Sequence, residues 1–229
     1  MVRVLSVGGS IVAPHEPNEA FLREFSARIR KWLSGDGSRK LIMVVGGGGP
    51  ARVYQKAYAN SVPADGCSHE EADWIGIMAT RLNAQLLKAV FSDVCPNPVV
   101  YDPTAVELFS GQVLIAAGWK PGFSTDNDAV LLAERFSAKQ VVNLSNIEKV
   151  YTDDPKKNPD AKPIDNISWD AFIRMVGTEW VPGKNVPFDP VASSRARKAG
   201  IQVICAGGTD LDNLDDILYD RPFKGTTIG

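Results

Sequence analysis

Leu41-Ile42-Met43-Val44-Val45-Gly46-Gly47-Gly48-Gly49-Pro50-Ala51-Arg52 is an apolar, β-branched run that ends in four glycines and leads into a helical pattern opened by proline. Short apolar runs bounded by turn residues read as buried strands, and proline at a first helical position has its φ already set for the helix. The same device occurs twice more. Arg3 to Val7 runs into Gly8-Gly9-Ser10, and Val113 to Ala117 runs into Gly118 and then Pro121-Gly122-Phe123-Ser124-Thr125. Glycine at the carboxyl ends of strands lets backbone N–H groups approach an anion with no Cβ in the way, and a following helix N-terminus favours negative charge. Three such turns in one sheet point to a phosphate-bearing ligand. Arg52, one turn into its helix, adds a fork of donors.

Outward from this stretch, strand and helix alternate. Val99 to Tyr101, Gln140 to Leu144 and Ile201 to Cys205 are further strand candidates. Helices are expected over 18–33, 50–60, 70–91, 126–136, 168–176, 190–199 and 211–218; in the first, Phe21, Leu22, Phe25, Ile29, Trp32 and Leu33 recur at three- and four-residue steps. Such alternation predicts the α/β class, a mainly parallel sheet covered by helices on both faces. Tyr151 to Asn166, rich in Asp, Lys and Pro, reads as a long polar loop, a kind of segment that is often functional.

The composition narrows the field. With 229 residues, 44% hydrophobic and 23% charged, the chain has enough apolar content for a full core, and its length fits one large α/β unit or two small lobes. Lys+Arg 25 against Asp+Glu 27 gives a net charge of -2, so no uniform positive field exists to hold nucleic acid. Glycine, at 20 residues, is about 9% of the chain against an ordinary usage of about 7%, an excess that matters because it is clustered. The 3 cysteines (Cys67, Cys95 and Cys205) have no paired spacing and fit a reducing, cytoplasmic setting. Cys67 and His69 are too isolated a pair to make a metal site, and none is expected. The N-terminal apolar run is too short for a signal peptide, and no run reaches the roughly 18 residues a membrane span needs.

Other phosphate-site patterns fit less well. Gly46-x-Gly48-x-x-Ala51 with Asp65 matches a dinucleotide fingerprint loosely, but a different glycine turn occupies the first strand. Gly177 to Gly183-Lys184-Asn185 lacks the P-loop spacing and its Ser or Thr, and no Gly-x-Ser-x-Gly elbow is present.

Val7-Gly8-Gly9-Ser10, Val45-Gly46-Gly47-Gly48 through Arg52, Asp73 with Ile75-Gly76, and Thr80-Arg81-Leu82-Asn83-Ala84 resemble the amino acid kinase superfamily and, within it, the archaeal type of UMP kinase. The likeness continues through Pro121 to Asp126, Ser145-Asn146 to Tyr151, Asp154-Pro155-Lys156-Lys157, Phe188-Asp189-Pro190 and Gly225-Thr226-Thr227-Ile228, in the family's order. It implies a three-layer α/β/α sandwich forming a single domain over residues 1–229, and ATP-dependent phosphorylation of UMP in pyrimidine nucleotide biosynthesis, with Mg²⁺ accompanying ATP. By position, Gly9, Ser10, Gly48 and Arg52 are expected at the ATP phosphates, and Ser145, Tyr151 and Asp154 at its nucleoside end. Gly47, Asp73 and the turn Trp119, Lys120, Pro121, Gly122, Phe123, Ser124 and Thr125 are expected to hold UMP. The helix from Glu70 is expected to join a homo-oligomer, a hexamer in the family, with Trp74 as core or interface filler.

The chain departs from the pattern in its cations. Ser6 stands where bacterial members carry a lysine, and Ser194 appears where a second lysine is expected. Arg52 and Lys184 are taken as the catalytic cations, with Lys120, Lys156 and Arg195 as further sources of charge. Glu148-Lys149 replaces an Asp-Gly pair typical of the family. The competing readings are a superfamily kinase for another phosphate or carboxylate acceptor, a diverged binder of nucleotide or oxyanion, and more remotely a nicotinamide-dependent oxidoreductase.

Overall fold

The computed structural model describes residues 2–155, 157–178 and 186–229. In chain order its elements are β1 (Val2–Val7), α1 (Gly9–Val12), α2 (Glu19–Ser34), β2 (Lys40–Val45), α3 (Gly48–Ser61), α4 (His69–Val90), β3 (Val113–Ala116), α5 (Thr125–Arg135) and β4 (Gln140–Ser145). There follow β5 (Val150–Tyr151), β6 (Pro163–Ile164), β7 (Asn166–Ile167), α6 (Trp169–Val176), α7 (Pro190–Ala199), β8 (Gln202–Gly207), α8 (Leu211–Leu218) and β9 (Thr226–Ile228).

The central sheet has seven strands in the order β3-β2-β1-β4-β8-β9-β7. Strands β3, β2, β1, β4 and β8 run parallel; β9 is antiparallel to β8 and parallel to β7. The strands are mostly apolar because both faces are covered, and the two-residue period divides their side chains between two cores. Leu5, Val7, Leu41, Met43, Val45, Ile115, Leu144 and Ile204 pack with residues of α2, α4 and α8. Val4, Ile42, Val44, Leu114, Val141 and Val203 pack with residues of α5, α6 and α7. The layers are therefore helix, sheet and helix. Side chains of Asn18, Ser68, Ser124, Ser168, Asp189 and Asp210 cap α2, α4, α5, α6, α7 and α8.

Register sets where ligands can bind. Val7 lies level with Val45 and Leu144, Val44 with Ala116, and Ser145 with Gly207. The turns after β3, β2, β1, β4 and β8 consequently form one row along the carboxyl edge of the sheet. The chain winds from β1 through β2 to β3 and then returns to β4 on the other side of β1, which makes β1 the switch point where such sheets bind ligands.

Some expectations change. Val99 to Tyr101 is not a strand: only Val100 pairs, with Ala116, because Pro98 and Pro103 on either side supply no N–H to a ladder. Helix α3 starts at Gly48, so Pro50 lies inside its first turn instead of opening it. The polar stretch 151–166 is not only loop: β5 and β6 pair antiparallel, joining Val150 to Ile164 and Tyr151 to Pro163.

Candidate active site

The glycine turns after β1 and β2 interlock. A Cβ on Gly9 would lie 2.1 Å from the N of Gly48, and Gly48, at φ +66, would place one 2.3 Å from the O of Gly9. Only two backbones without side chains fit together so closely. Among the described residues, the N–H groups of Gly9, Ser10, Gly47 and Gly48 make no backbone hydrogen bond, whereas Gly8 N donates to Leu144 O and Gly46 N to Val7 O. Unpaired N–H groups beside the start of α3 form an anion-binding surface. Asn83 of α4, nearly fully buried, fixes the second turn by donating from Nδ2 to Gly46 O at 2.9 Å and Gly47 O at 3.1 Å.

Arg52, near the start of α3, donates from Nη2 to Pro14 O at 3.3 Å, beyond α1, and its side chain is exposed. Lys184 lies outside the described residues, as does Lys156. Lys120 rests over aromatic rings, its Nζ 3.9 Å from the centroid of Trp119 and 5.0 Å from that of Phe123. Arg195 does not serve the glycine turns; its guanidinium bonds Asn127 Oδ1 at 3.2 Å and Glu134 Oε2 at 3.1 Å between α7 and α5. Ser194 donates back to Pro190 O within its own helix.

The turn after β3 is held from beneath by α4 and α5. Gly118 N donates to Thr80 Oγ1 at 2.8 Å, Arg81 Nη2 donates to Trp119 O at 3.1 Å, and Trp119 N donates to Asp128 Oδ2 at 3.2 Å. Gly122 N donates to Asp73 Oδ2 at 3.0 Å, so the structure brings together Asp73 and the 119–125 segment. Trp119 meets Phe123 edge to face at 4.9 Å, Lys120 O accepts from Phe123 N across Pro121 and Gly122, and Ser124 caps α5 ahead of Thr125. Trp74 is 36% exposed, with the Arg81 guanidinium 5.8 Å from its ring, so it is not core.

Asp126 and Asp128 sit beneath this row. Asp126 accepts from Ser6 Oγ at 2.9 Å and from Asp189 N at 3.3 Å, and burial pushes its carboxyl up to about 6. Burial pushes Asp128 up to about 7. Neither aspartate was assigned a role from sequence, and Thr80, Arg81 and Asn83 entered only as motif letters. The available signal was polarity on a buried helix face: Asp128 precedes Ala129 and lies one turn before Leu132, both in the core.

Beyond β1, Ser145 lines a cleft of about 100 Å³ with Asn146, Glu148, Gly207, Thr209 and Lys224. A 2.6 Å ion pair joins Lys224 and Glu148 at this cleft. Tyr151 and Asp154 lie on and just after β5 and do not line it; Asp154 pairs with Lys157 at 3.9 Å. Among the described residues no group of three or more His, Cys, Asp or Glu is placed to hold a metal ion. No helix among them is long and apolar enough to cross a membrane.

Residues 1–207 match the model of the amino acid kinase family. The chain is similar to the uridylate kinase of Pyrococcus abyssi, at 33% identity over 230 residues covering 98% of each chain. It is also similar to that of Thermococcus sibiricus, at 34% over 228 residues and again 98% of each. Among solved structures, the uridylate kinase of Archaeoglobus fulgidus superposes with a TM-score of 0.82 at 32% identity over all of both chains.

Proposed function

The chain belongs to the amino acid kinase family, and from that premise we propose that it transfers the γ-phosphoryl group of ATP to UMP, giving ADP and UDP, by direct in-line displacement. The observation that carries this reading is the interlocked pair of glycine turns with unpaired N–H groups, standing between the 119–125 turn and the Ser145 cleft on one sheet edge and combined with full-length similarity to uridylate kinases. Phosphoryl transfer asks little covalent chemistry of a protein; it needs two anions aligned and their equatorial charge neutralised.

In this reading Gly9, Ser10, Gly48 and Arg52 meet the ATP phosphates, and Ser145, Tyr151 and Asp154 serve the nucleoside end. Gly47, Asp73 and residues 119–125 hold UMP. Mg²⁺ arrives on the phosphates of ATP, where it neutralises charge. With Ser6 bonded to Asp126 and Ser194 to its own helix, the protein's positive charge falls to Arg52 and to Lys184. We also place the molecule in the cytoplasm as a homohexamer: its cysteines are free, and α4 presents Trp74, Met78 and Leu82 to solvent at four-residue steps.

A coupled ADP-release assay with Mg²⁺ and ATP tests the activity. ADP release that depends on UMP supports it; release that is indifferent to UMP, with another acceptor preferred, removes it. Arg52→Ala and Lys184→Ala, compared for kcat at saturating substrates, then separate the two cations: the one that stabilises the transferred group loses about 100-fold or more.

A further inference from the structure

The Trp119 peptide is gripped at both ends, its carbonyl by Arg81 Nη2 of α4 and its N–H by Asp128 Oδ2 of α5. Asp128 is 0% exposed, and its second oxygen, Oδ1, has no hydrogen-bond partner among the described residues. An ionised carboxyl buried this way leaves one oxygen's charge uncompensated, whereas a neutral acid tolerates the site far better.

Among the described residues no cation is bonded to the Asp128 carboxyl. Asp126 on the same helix, Asp102 before the Thr104 turn and Asp189 ahead of α7 all add negative field. Arg81 donates to the Trp119 carbonyl, keeps a buried Nε without a partner among the described residues and lies 4.4 Å from the Tyr101 ring, while Arg195 of α7 is bound to Asn127 and Glu134. Lys120 lies over the Trp119 ring. From the sheet, Ser6 and Asn143 face α5 as neutral groups, bonded to Asp126 and to Pro187 O.

We infer that Asp128 is a positioning residue of the acceptor turn that is protonated when the acceptor phosphate is bound: as a neutral acid it holds the Trp119 N–H without placing negative charge beneath the turn. The inference rests on reading 119–125 as the acceptor site. Ionisation strengthens a single N–H bond, but it also adds a negative charge to those of Asp126, Asp102 and Asp189 beneath the turn, and that charge opposes the binding of a phosphate dianion. Burial already brings the carboxyl up to about 7, so both forms coexist near neutrality in the free protein. An arriving dianion raises it further, and the proton comes from solvent. Acceptor affinity therefore falls as pH rises above neutrality.

The test compares the wild-type chain with Asp128→Asn, whose amide oxygen can accept from Trp119 N–H but never ionises. The KM for UMP is measured from pH 6.5 to 8.5 at saturating Mg²⁺-ATP; taking ratios at each pH cancels the ionisation of UMP itself. If UMP raises the carboxyl by one pK unit, the ratio of wild-type to variant KM climbs about six-fold across this range, towards a limit of about ten-fold at higher pH. The kcat and ATP KM ratios stay flat. A UMP KM ratio independent of pH overturns the inference.

Should the variant not fold, carbon-13 NMR of carboxyl-labelled aspartate in the wild-type chain gives the answer directly. A buried carboxyl titrating near neutrality, with a midpoint that rises on adding UMP, supports the inference. An unmoved midpoint, or full ionisation by pH 6 in the free chain, overturns it. A wild-type chain that binds no UMP at any pH overturns the acceptor reading, and this inference with it.

Discussion

At the scale of single residues, the site depends on what is missing as much as on what is present. A methyl group on Gly9 would overlap the backbone of Gly48, and neither turn can retreat because each ends a buried strand. Gly9→Ala is expected to destabilise the chain by about 3 kcal/mol and to abolish ATP-dependent turnover; a variant with unchanged melting temperature and activity would show that the turns are not locked. Asn83→Ala tests the same lock from outside. It removes both donors to Gly46 O and Gly47 O, so the expected loss is about 2 kcal/mol, read as a fall of about 6 °C in melting temperature. Activity should fall further than that loss of stability explains. The glycines were legible because clustering after strands has few other causes. Asn83 was not, because one amide in a helix gains meaning only when the helix is docked and its neighbours are known.

At the scale of elements, α4 is the spine on which two turns are hung. Asp73 in the second turn of this helix, and Thr80, Arg81 and Asn83 together about two turns further on, reach Gly122, Gly118, Trp119 and Gly46 with Gly47 respectively. Asp73 is the one whose loss should alter acceptor binding with little effect on the donor. Asp73→Ala is expected to raise the KM for UMP about ten-fold while the KM for ATP stays within about two-fold, as steady-state kinetics would show; equal effects on both would mean that the turn after β3 serves the whole edge. The other face of α4 carries the test of assembly. Leu82 is 68% exposed, and Leu82→Glu should shift the mass seen by light scattering towards a monomer if the stripe is an interface. Of the elements, the long amphipathic helices and buried parallel strands could be read from periodicity. The short ones could not: β9 has only three residues, and Val99 to Tyr101 looks apolar enough for a strand until its flanking prolines are counted.

At the scale of the whole molecule, parallel register turns separate motifs into one row: the 119–125 turn, the tetraglycine, Gly8-Gly9, then Ser145 and Gly207. Alternation of strands and helices made the sheet predictable, and family motif order supplied the row. The acids under it escaped notice, because a near-neutral net charge of -2 says nothing about where charges are buried. Those acids give the molecule an unusual pH dependence. Burial raises the folded-state values of Asp126 and Asp128 to about 6 and about 7 from an unfolded value of 3.8. Between these limits the folded chain holds protons that the unfolded chain has released, so stability decreases as pH rises. This contribution is complete below about pH 4 and is lost as pH passes through the folded values. Asp36, Asp93, Asp102 and Asp153 act oppositely, since hydrogen bonds lower them from 3.8, but their contribution is complete above about pH 4 and does not vary in the same window. The melting temperature of the free chain should therefore fall from pH 5 to pH 8, and Asp128→Asn should flatten the slope. Parallel slopes for the two proteins in scanning calorimetry would mean that Asp128 ionises in the folded state as it does in the unfolded chain.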